Sequence, residues 1–381
     1  NLGTARSSLA GFTLGNVGFA CGGTTGSVSA VVEKYFSGAT PPKFRFLSIV
    51  KSYALGSGDR AHPSRLYWSS LGDLENWPAT QFEDIASDDG DEITGQFLFN
   101  GNFYMAKRDR IYLLPFSDDP ANLQIFPLAE NVGVAAPASI VKASDGAVYF
   151  ASERGFYRYT GSFELISSPI EPTFFALNQS RLSYITAIDN VRWGEIWFGV
   201  TSATASVNDE ILAYSYRLST PEKPVWFRLT GISAQALAQV ESLTTDQPIV
   251  FHGDAEGFVY YHDESVDNDN GTAITADWTS GWIPLHPNQV DDVFLRRCLH
   301  WIEATASAAG DLTTDFYRDL STTSAQTLTT PLTSTDRVEA DIGMEPSYAV
   351  QLKLAHSTAA QGVQVNKIAL GLSPVNEERL A

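Results

Sequence analysis

Between residues 97 and 260 the chain repeats one short theme: two runs of aromatic and β-branched residues joined across a turn that contains glycine. The clearest copy is Phe97-Leu98-Phe99-Asn100-Gly101-Asn102-Phe103-Tyr104-Met105. Asn-Gly supplies the two positive φ angles of a tight hairpin turn, so the segment predicts two antiparallel strands, with Phe97, Phe99, Phe103 and Met105 expected along one face. Further copies surround Asp145-Gly146, Trp193-Gly194 and His252-Gly253-Asp254. The turn glycines at 101, 146, 194 and 253 are 45, 48 and 59 residues apart. Four-stranded propeller blades recur at about 40–50 residues, which explains a long period better than a sandwich does. Helical signals are few: short helices are expected only near 172–183 and 232–240.

This rhythm predicts an all-β chain, with a β-propeller of about six blades over residues 1–271. An acidic, polar stretch from Asp263 to Gly271 reads as a linker. Beyond it aromatics thin out while Thr, Ser and Ala increase, and residues 272–381 are expected to form a small antiparallel β-sandwich. With 381 residues, 44% of them hydrophobic, the chain has enough apolar side chains for such cores without disulfides. Cys21 and Cys298 stand far apart with no metal-ligand spacing, and both are expected to be buried thiols, with one long-range disulfide as the alternative. No run of 18 apolar residues predicts a membrane helix, and the first thirty residues lack the basic start and apolar core of a secretory signal.

The formal charge is −19, from 25 Lys and Arg against 44 Asp and Glu. Such an excess of acid argues against sequence-reading contact with nucleic acid, which relies on cations facing phosphates. It is compatible with DNA that passes without sticking, and with plain solubility. Acids concentrate at residues 59–95, where nine stand against Arg60 and Arg65, and again at 254–269. Neither cluster has the alternating oxygen ligands of a calcium loop: Gly271 occupies a ligand place after Asp267 and Asp269, and Asp88-Asp89-Gly90-Asp91 lacks the alternation. No metal and no cofactor is expected. The motifs of nucleophile elbows, zinc proteases, P-loops and dinucleotide folds are missing, so the chain is expected not to be an enzyme. The six histidines are scattered; His252 and His262 flank one hairpin and could approach Asp254 or Asp263.

Read in order, residues 42–200 resemble the tail nozzle, or tail hub, family of short-tailed bacteriophages, also called packaged DNA stabilisation proteins. The resemblance begins with Pro42-Lys43-Phe44-Arg45-Phe46-Leu47 and Arg65-Leu66-Tyr67-Trp68-Ser69. It continues through Gly72-Asp73-Leu74-Glu75-Asn76-Trp77, the hairpin Leu98–Lys107 and Arg110-Ile111-Tyr112. Asn131–Ile140, Val148–Ser152, Gly155-Phe156-Tyr157-Arg158-Tyr159 and Ser168-Pro169-Ile170-Glu171 complete it. Its signature positions are Trp68, Gly72, Asp73, Trp77, Gly155 and Tyr157. The resemblance implies a structural virion protein, made in the host cytoplasm, that forms a homo-oligomeric ring, commonly a hexamer. Its partners would be further copies of itself, the adaptor ring, and tail fibre or needle proteins. Double-stranded DNA would pass through the ring during ejection and be retained before it. An acidic lumen would then suit Asp84, Asp88, Asp89, Asp91 and Glu92 as channel-facing charge. The alternative is a propeller that binds or cleaves glycans, with Trp68 and Trp193 stacking on sugar rings, or a tail fibre or adhesin module. The single Asp-box-like segment at 69–77 reads instead as structural, with Asp73 capping a turn and Trp77 closing a blade edge.

Overall fold

In a computed structural model, residues 7–14, 17–24, 42–115, 123–241, 248–262, 268–269, 272–285, 293–304, 310–332, 336–358 and 362–374 are described. The chain divides into two compact units, 1–262 and 263–381.

Among the described residues the first unit holds four antiparallel sheets of four strands and a fifth of three, besides a separate hairpin of Ser7–Leu14 with Val17–Thr24. The first sheet contains Phe46–Val50, Tyr53–Ser57, Arg65–Trp68 and Phe82–Asp84; the second, Ile93–Phe99, Asn102–Lys107, Arg110–Leu114 and Phe126–Glu130. The third has Val141–Lys142, Val148–Ser152, Gly155–Tyr159 and Phe163–Leu165, and the fourth Thr186–Asn190, Glu195–Val200, Glu210–Thr220 and Lys223–Thr230. Ala236–Glu241, Pro248–Gly253 and Val259–Tyr261 form the fifth. Strands follow chain order within each of these five sheets, and first strands touch between the first and second, the third and fourth, and the fourth and fifth sheets. These are the up-and-down blades of a propeller, as expected, with five such sheets among the described residues. The third strands of the first three blades start at residues 65, 110 and 155, a strict 45-residue repeat that reads Arg-Leu-Tyr, Arg-Ile-Tyr and Gly-Phe-Tyr.

The core lies between blades. Leu55, Leu66 and Trp68 of the first blade share one cluster with Phe103, Met105, Tyr112 and Leu114 of the second. The other face of the second blade, with Phe97, Phe99, Tyr104 and Ile111, packs on Val148, Phe150, Tyr157 and Tyr159 of the third. The third and fourth blades meet through Tyr149, Phe156, Phe198 and Tyr214, and the fourth and fifth through Trp197, Ile211 and Val250. Because a middle blade is covered on both faces, its strands need apolar residues at successive positions, not only at alternate ones.

That geometry corrects the expected face of the 97–105 hairpin. Asn100 and Gly101 do form the tight turn, with φ of 47° and 77°. A two-residue loop pairs Phe99 with Asn102 and Phe97 with Tyr104, so Phe103 and Met105 lie on the opposite face from Phe97 and Phe99. The helix expected near 172–183 is present as Glu171–Phe175 and the 3-10 turn Gln179–Tyr184. The one expected near 232–240 is instead the strand Ala236–Glu241, paired along its length with Pro248–Gly253. Gly253 ends a second strand and belongs to a different turn class from Gly101, Gly146 and Gly194, which is why its step of 59 breaks the rhythm.

In the second unit, Ala276–Thr279, Ile283–Pro284, Ala349–His356, Gly310–Arg318 and Gln326–Leu332 form one antiparallel sheet. Asp336–Asp341, Val293–Ala304 and Val363–Pro374 form another. Residues of both, among them Leu295, Cys298, Phe316, Val350 and Leu352, share one hydrophobic cluster. Cys298 is a fully buried thiol. The side chain of Cys21 lies outside the described residues.

Candidate functional site

The acid-rich connection between the first and second blades, residues 83–92, holds all five candidate channel residues, and most of their carboxylates are engaged within the protein. Asp84 accepts two hydrogen bonds from the Arg65 guanidinium, at 2.7 and 2.8 Å, across a paired strand position. Arg65 in turn lies 3.6 Å over the Phe82 ring. This bidentate bond holds the Asp84 carboxyl below its ordinary range.

Asp89 accepts from Lys107 Nζ at 2.7 Å. The Lys107 side chain is fully buried and also donates to the Ala86 carbonyl at 2.9 Å and to Ser64 Oγ at 3.2 Å. All three ammonium hydrogens therefore have acceptors, the condition under which a buried cation is tolerated. Burial by itself would raise the Asp89 carboxyl, but the Lys107 hydrogen bond and charge, the Asp91 amide and the Arg110 charge outweigh it and hold it low. Asp91 Oδ2 accepts the Arg108 amide at 2.9 Å and its Oδ1 the Glu92 amide at 2.9 Å. Glu92 sits 3.6 Å from Arg45, both about half exposed, an ion pair of little energetic weight. Asp88 is exposed. The connection thus joins two neighbouring blades through ionic contacts, and Asp84 and Asp89 each face a cation.

On the first strands of the five blades, which line the axis side, Asp189 and Glu241 are the carboxylates among the described residues. Asp189 is buried; it accepts the Ser144 amide at 2.7 Å and the Tyr216 hydroxyl at 3.0 Å, tying the third blade to the fourth. Burial pushes the Tyr216 hydroxyl up to about 12. No group of three or more His, Cys, Asp or Glu is placed to hold a metal ion among the described residues.

The signature residues occupy structural positions. Trp77 is buried against Phe44, with ring centroids 4.6 Å apart, on the face of the first blade turned away from the second. Asp73 Oδ1 accepts the Glu75 amide at 3.2 Å, and Gly72 has φ 72° in the same turn, in keeping with the structural reading of this segment. Trp68 and Tyr157 are core residues. Gly155 opens the third strand of its blade at φ 141°, and a Cβ there would meet Ser167 Oγ at 2.3 Å. Of the two rings expected to stack on sugars, Trp68 is 6% exposed and therefore covered, whereas Trp193 is 47% exposed in a turn.

The second unit contains a cleft of about 720 Å³ that sequence reasoning missed, lined by Trp278, Asp277, His356, Asn366, Lys367 and apolar neighbours. Trp278 is 55% exposed and pairs with Leu354 on the adjacent strand. A tryptophan in a polar strand, Ala-Asp-Trp-Thr, was its only sequence signal.

No known protein family and no curated protein matches this chain. Solved structures similar to it include the extracellular domain of a one-component system from B. thetaiotaomicron, at 11% identity and a TM-score of 0.36 over 80% of this chain. The chain spans 41% of that protein's length. An exo-β-1,3-galactanase from Phanerochaete chrysosporium is similar at 10% identity and a TM-score of 0.22, over 84% of this chain and 94% of the enzyme. A further glycoside hydrolase is similar at 9% identity and a TM-score of 0.25, over 85% and 96%. Likenesses this low transfer neither activity nor substrate. Glycan-cleaving enzymes stand among these structures. The expectation that the chain is not an enzyme is withdrawn, because a catalytic pair drawn from different blades would leave no local motif in sequence, so missing motifs do not exclude catalysis.

Proposed function

We propose that this chain is a ring-forming structural protein of a short phage tail, a nozzle or hub through which double-stranded DNA leaves the particle. The observation that carries this reading is where the resembling segments fall. Arg65–Trp68, Arg110–Leu114 and Gly155–Tyr159 are the same third strand of three consecutive blades, 45 residues apart. The remaining segments lie before, between or directly after them along the same stretch of chain. The resemblance therefore covers a continuous three-blade body and its connections, not scattered short matches. A ring of such subunits is a cyclic, heterologous assembly in which one face meets a different face of the next copy. An excess of acid facing its lumen would repel phosphates over about a Debye length, roughly 8 Å.

Native mass measurement followed by cryo-EM of the purified chain tests this. A closed ring, or incorporation into tail particles, is the expected outcome. A chain that remains monomeric at all concentrations and is absent from particles overturns it.

A second reading, saccharide binding or cleavage, is favoured by the cleft beside Trp278. An exposed indole beside Asp277, His356, Asn366 and Lys367 supplies a stacking face and hydrogen-bonding groups, the pairing that sugar rings require. Glycan-array binding and galactan turnover by the purified chain, each compared with Trp278→Ala, test it. No binding and no turnover removes this reading without touching the first.

A further inference from the structure

The fifth blade differs from the other four. Among the described residues it has three strands, and the third, Val259–Tyr261, is exposed along its length: Val259 is 71% accessible and Tyr261 58%. Three residues of pairing with Pro248–Gly253 and the His262 amide donating to Val250 hold it in the sheet. On the face turned toward the fourth blade, His252 stands opposite Tyr260, and His262 is its diagonal neighbour. His252 Nδ1 and His262 Nε2 are 3.0 Å apart, with ring centroids at 5.0 Å.

We propose that His252 and His262 form a two-imidazole chelate for a borderline-soft divalent cation of the zinc or nickel class, a pin that fastens the strand Val259–Tyr261 to its neighbour. Two cis imidazole ligands at about 2.0–2.1 Å from zinc are roughly 2.9 Å apart at a right angle and about 3.3–3.4 Å at the tetrahedral angle. The separation here falls inside that interval, so binding requires ring rotation about χ2 and no strand movement. Imidazole nitrogen suits zinc, nickel and copper, whereas magnesium and calcium prefer oxygen.

In the ion-free protein one ring's N–H points at the other ring's lone pair. On binding, that hydrogen moves to the far nitrogen of its own ring, leaving both facing nitrogens as donors to the ion. The surroundings hold both rings in place. His262 packs edge-on to Trp197 at 4.8 Å, and Trp197 Nε1 donates to Glu195 at 2.9 Å. His252 stacks on Tyr260 at 5.0 Å, whose hydroxyl donates to Asp254 at 3.3 Å. Glu195 and Asp254 therefore add negative charge near the site. Both histidines are half-buried, which leaves room for water to complete the coordination sphere.

Isothermal titration of the full-length chain with zinc chloride and nickel chloride at pH 7.5 tests the proposal, with calcium chloride as control. One ion per chain should bind at this site, roughly tenfold or more weaker in His252→Ala and in His262→Ala, and unaffected in His62→Ala. Binding should weaken at pH 5.5, because protons compete with the ion for the same imidazole nitrogens. Hydrogen exchange on the unmodified chain gives a readout that does not depend on the variants folding: zinc should raise protection of amides in 248–262. No heat up to millimolar zinc overturns the proposal. So does binding that persists unchanged in both variants, or binding without added protection there.

Discussion

Replacing Lys107 with methionine removes one fully buried charge and leaves three acceptors behind. The Asp89 carboxylate, 10% exposed, keeps only Tyr112 at 3.4 Å, the Asp91 amide and a distant Arg110; Ser64 Oγ and the Ala86 carbonyl lose their donor. Breaking a buried ion pair from one side costs about 3–5 kcal/mol, because the stranded partner keeps its desolvation penalty. At about 2–4 °C per kcal/mol for a unit of this size, the melting transition of the first unit should fall by roughly 6–20 °C. The double variant Lys107→Met with Asp89→Leu, which removes both charges and keeps volume, should recover most of that loss.

Differential scanning calorimetry between pH 3 and 7 adds a second constraint. The Asp89 carboxyl titrates lower in the folded protein than its unfolded value of about 3.9, so its contribution is full well above that value and disappears as pH falls through the folded one. The gap between the unmodified chain and Lys107→Met should thus be widest at neutral pH and shrink below about pH 4. A loss of under about 1 kcal/mol at pH 7, or a gap that does not change with pH, would refute the ionic account of this connection.

Asp88→Asn with Glu92→Gln, which alters exposed carboxylates, should change stability by no more than about 0.5 kcal/mol in the same calorimetry, so a functional change in that variant would come from charge and not from fold. Gly101→Ala should cost about 1–2 kcal/mol in denaturant titration, since its φ of 77° is unfavourable for alanine but nothing lies within 4 Å of the new methyl. Gly155→Ala should cost clearly more, because there the methyl also meets Ser167 Oγ at 2.3 Å and Leu165 at 2.7 Å. Burial pushes the Cys298 thiol up to about 12, so a thiol reagent at pH 8 should leave it unmodified in the native chain and label it after denaturation.

Local signals served well where one stretch of chain decides the outcome. Asn100-Gly101 dictates its turn, and the recurrence of such hairpins implied blades before any contact was known. The same local reading placed Phe103 and Met105 beside Phe97, because it supposed one buried face; in stacked blades both faces are buried, and alternation no longer tells core from surface. Charge failed for a related reason. The acids at 83–92 looked like a free negative surface because their partners are distant in sequence: Arg65 stands 19 residues before Asp84, and Lys107 18 residues after Asp89, in the next blade. A lysine directly after Phe103-Tyr104-Met105-Ala106 in one strand was the one hint that something there needed a buried counter-charge. Formal charge therefore overstates the field that this connection can project, since Asp84 and Asp89 face cations at hydrogen-bonding distance. If a lumen repels DNA here, exposed and unpaired carboxylates such as Asp88 must supply most of the effect, while Asp89 holds the two blades in register.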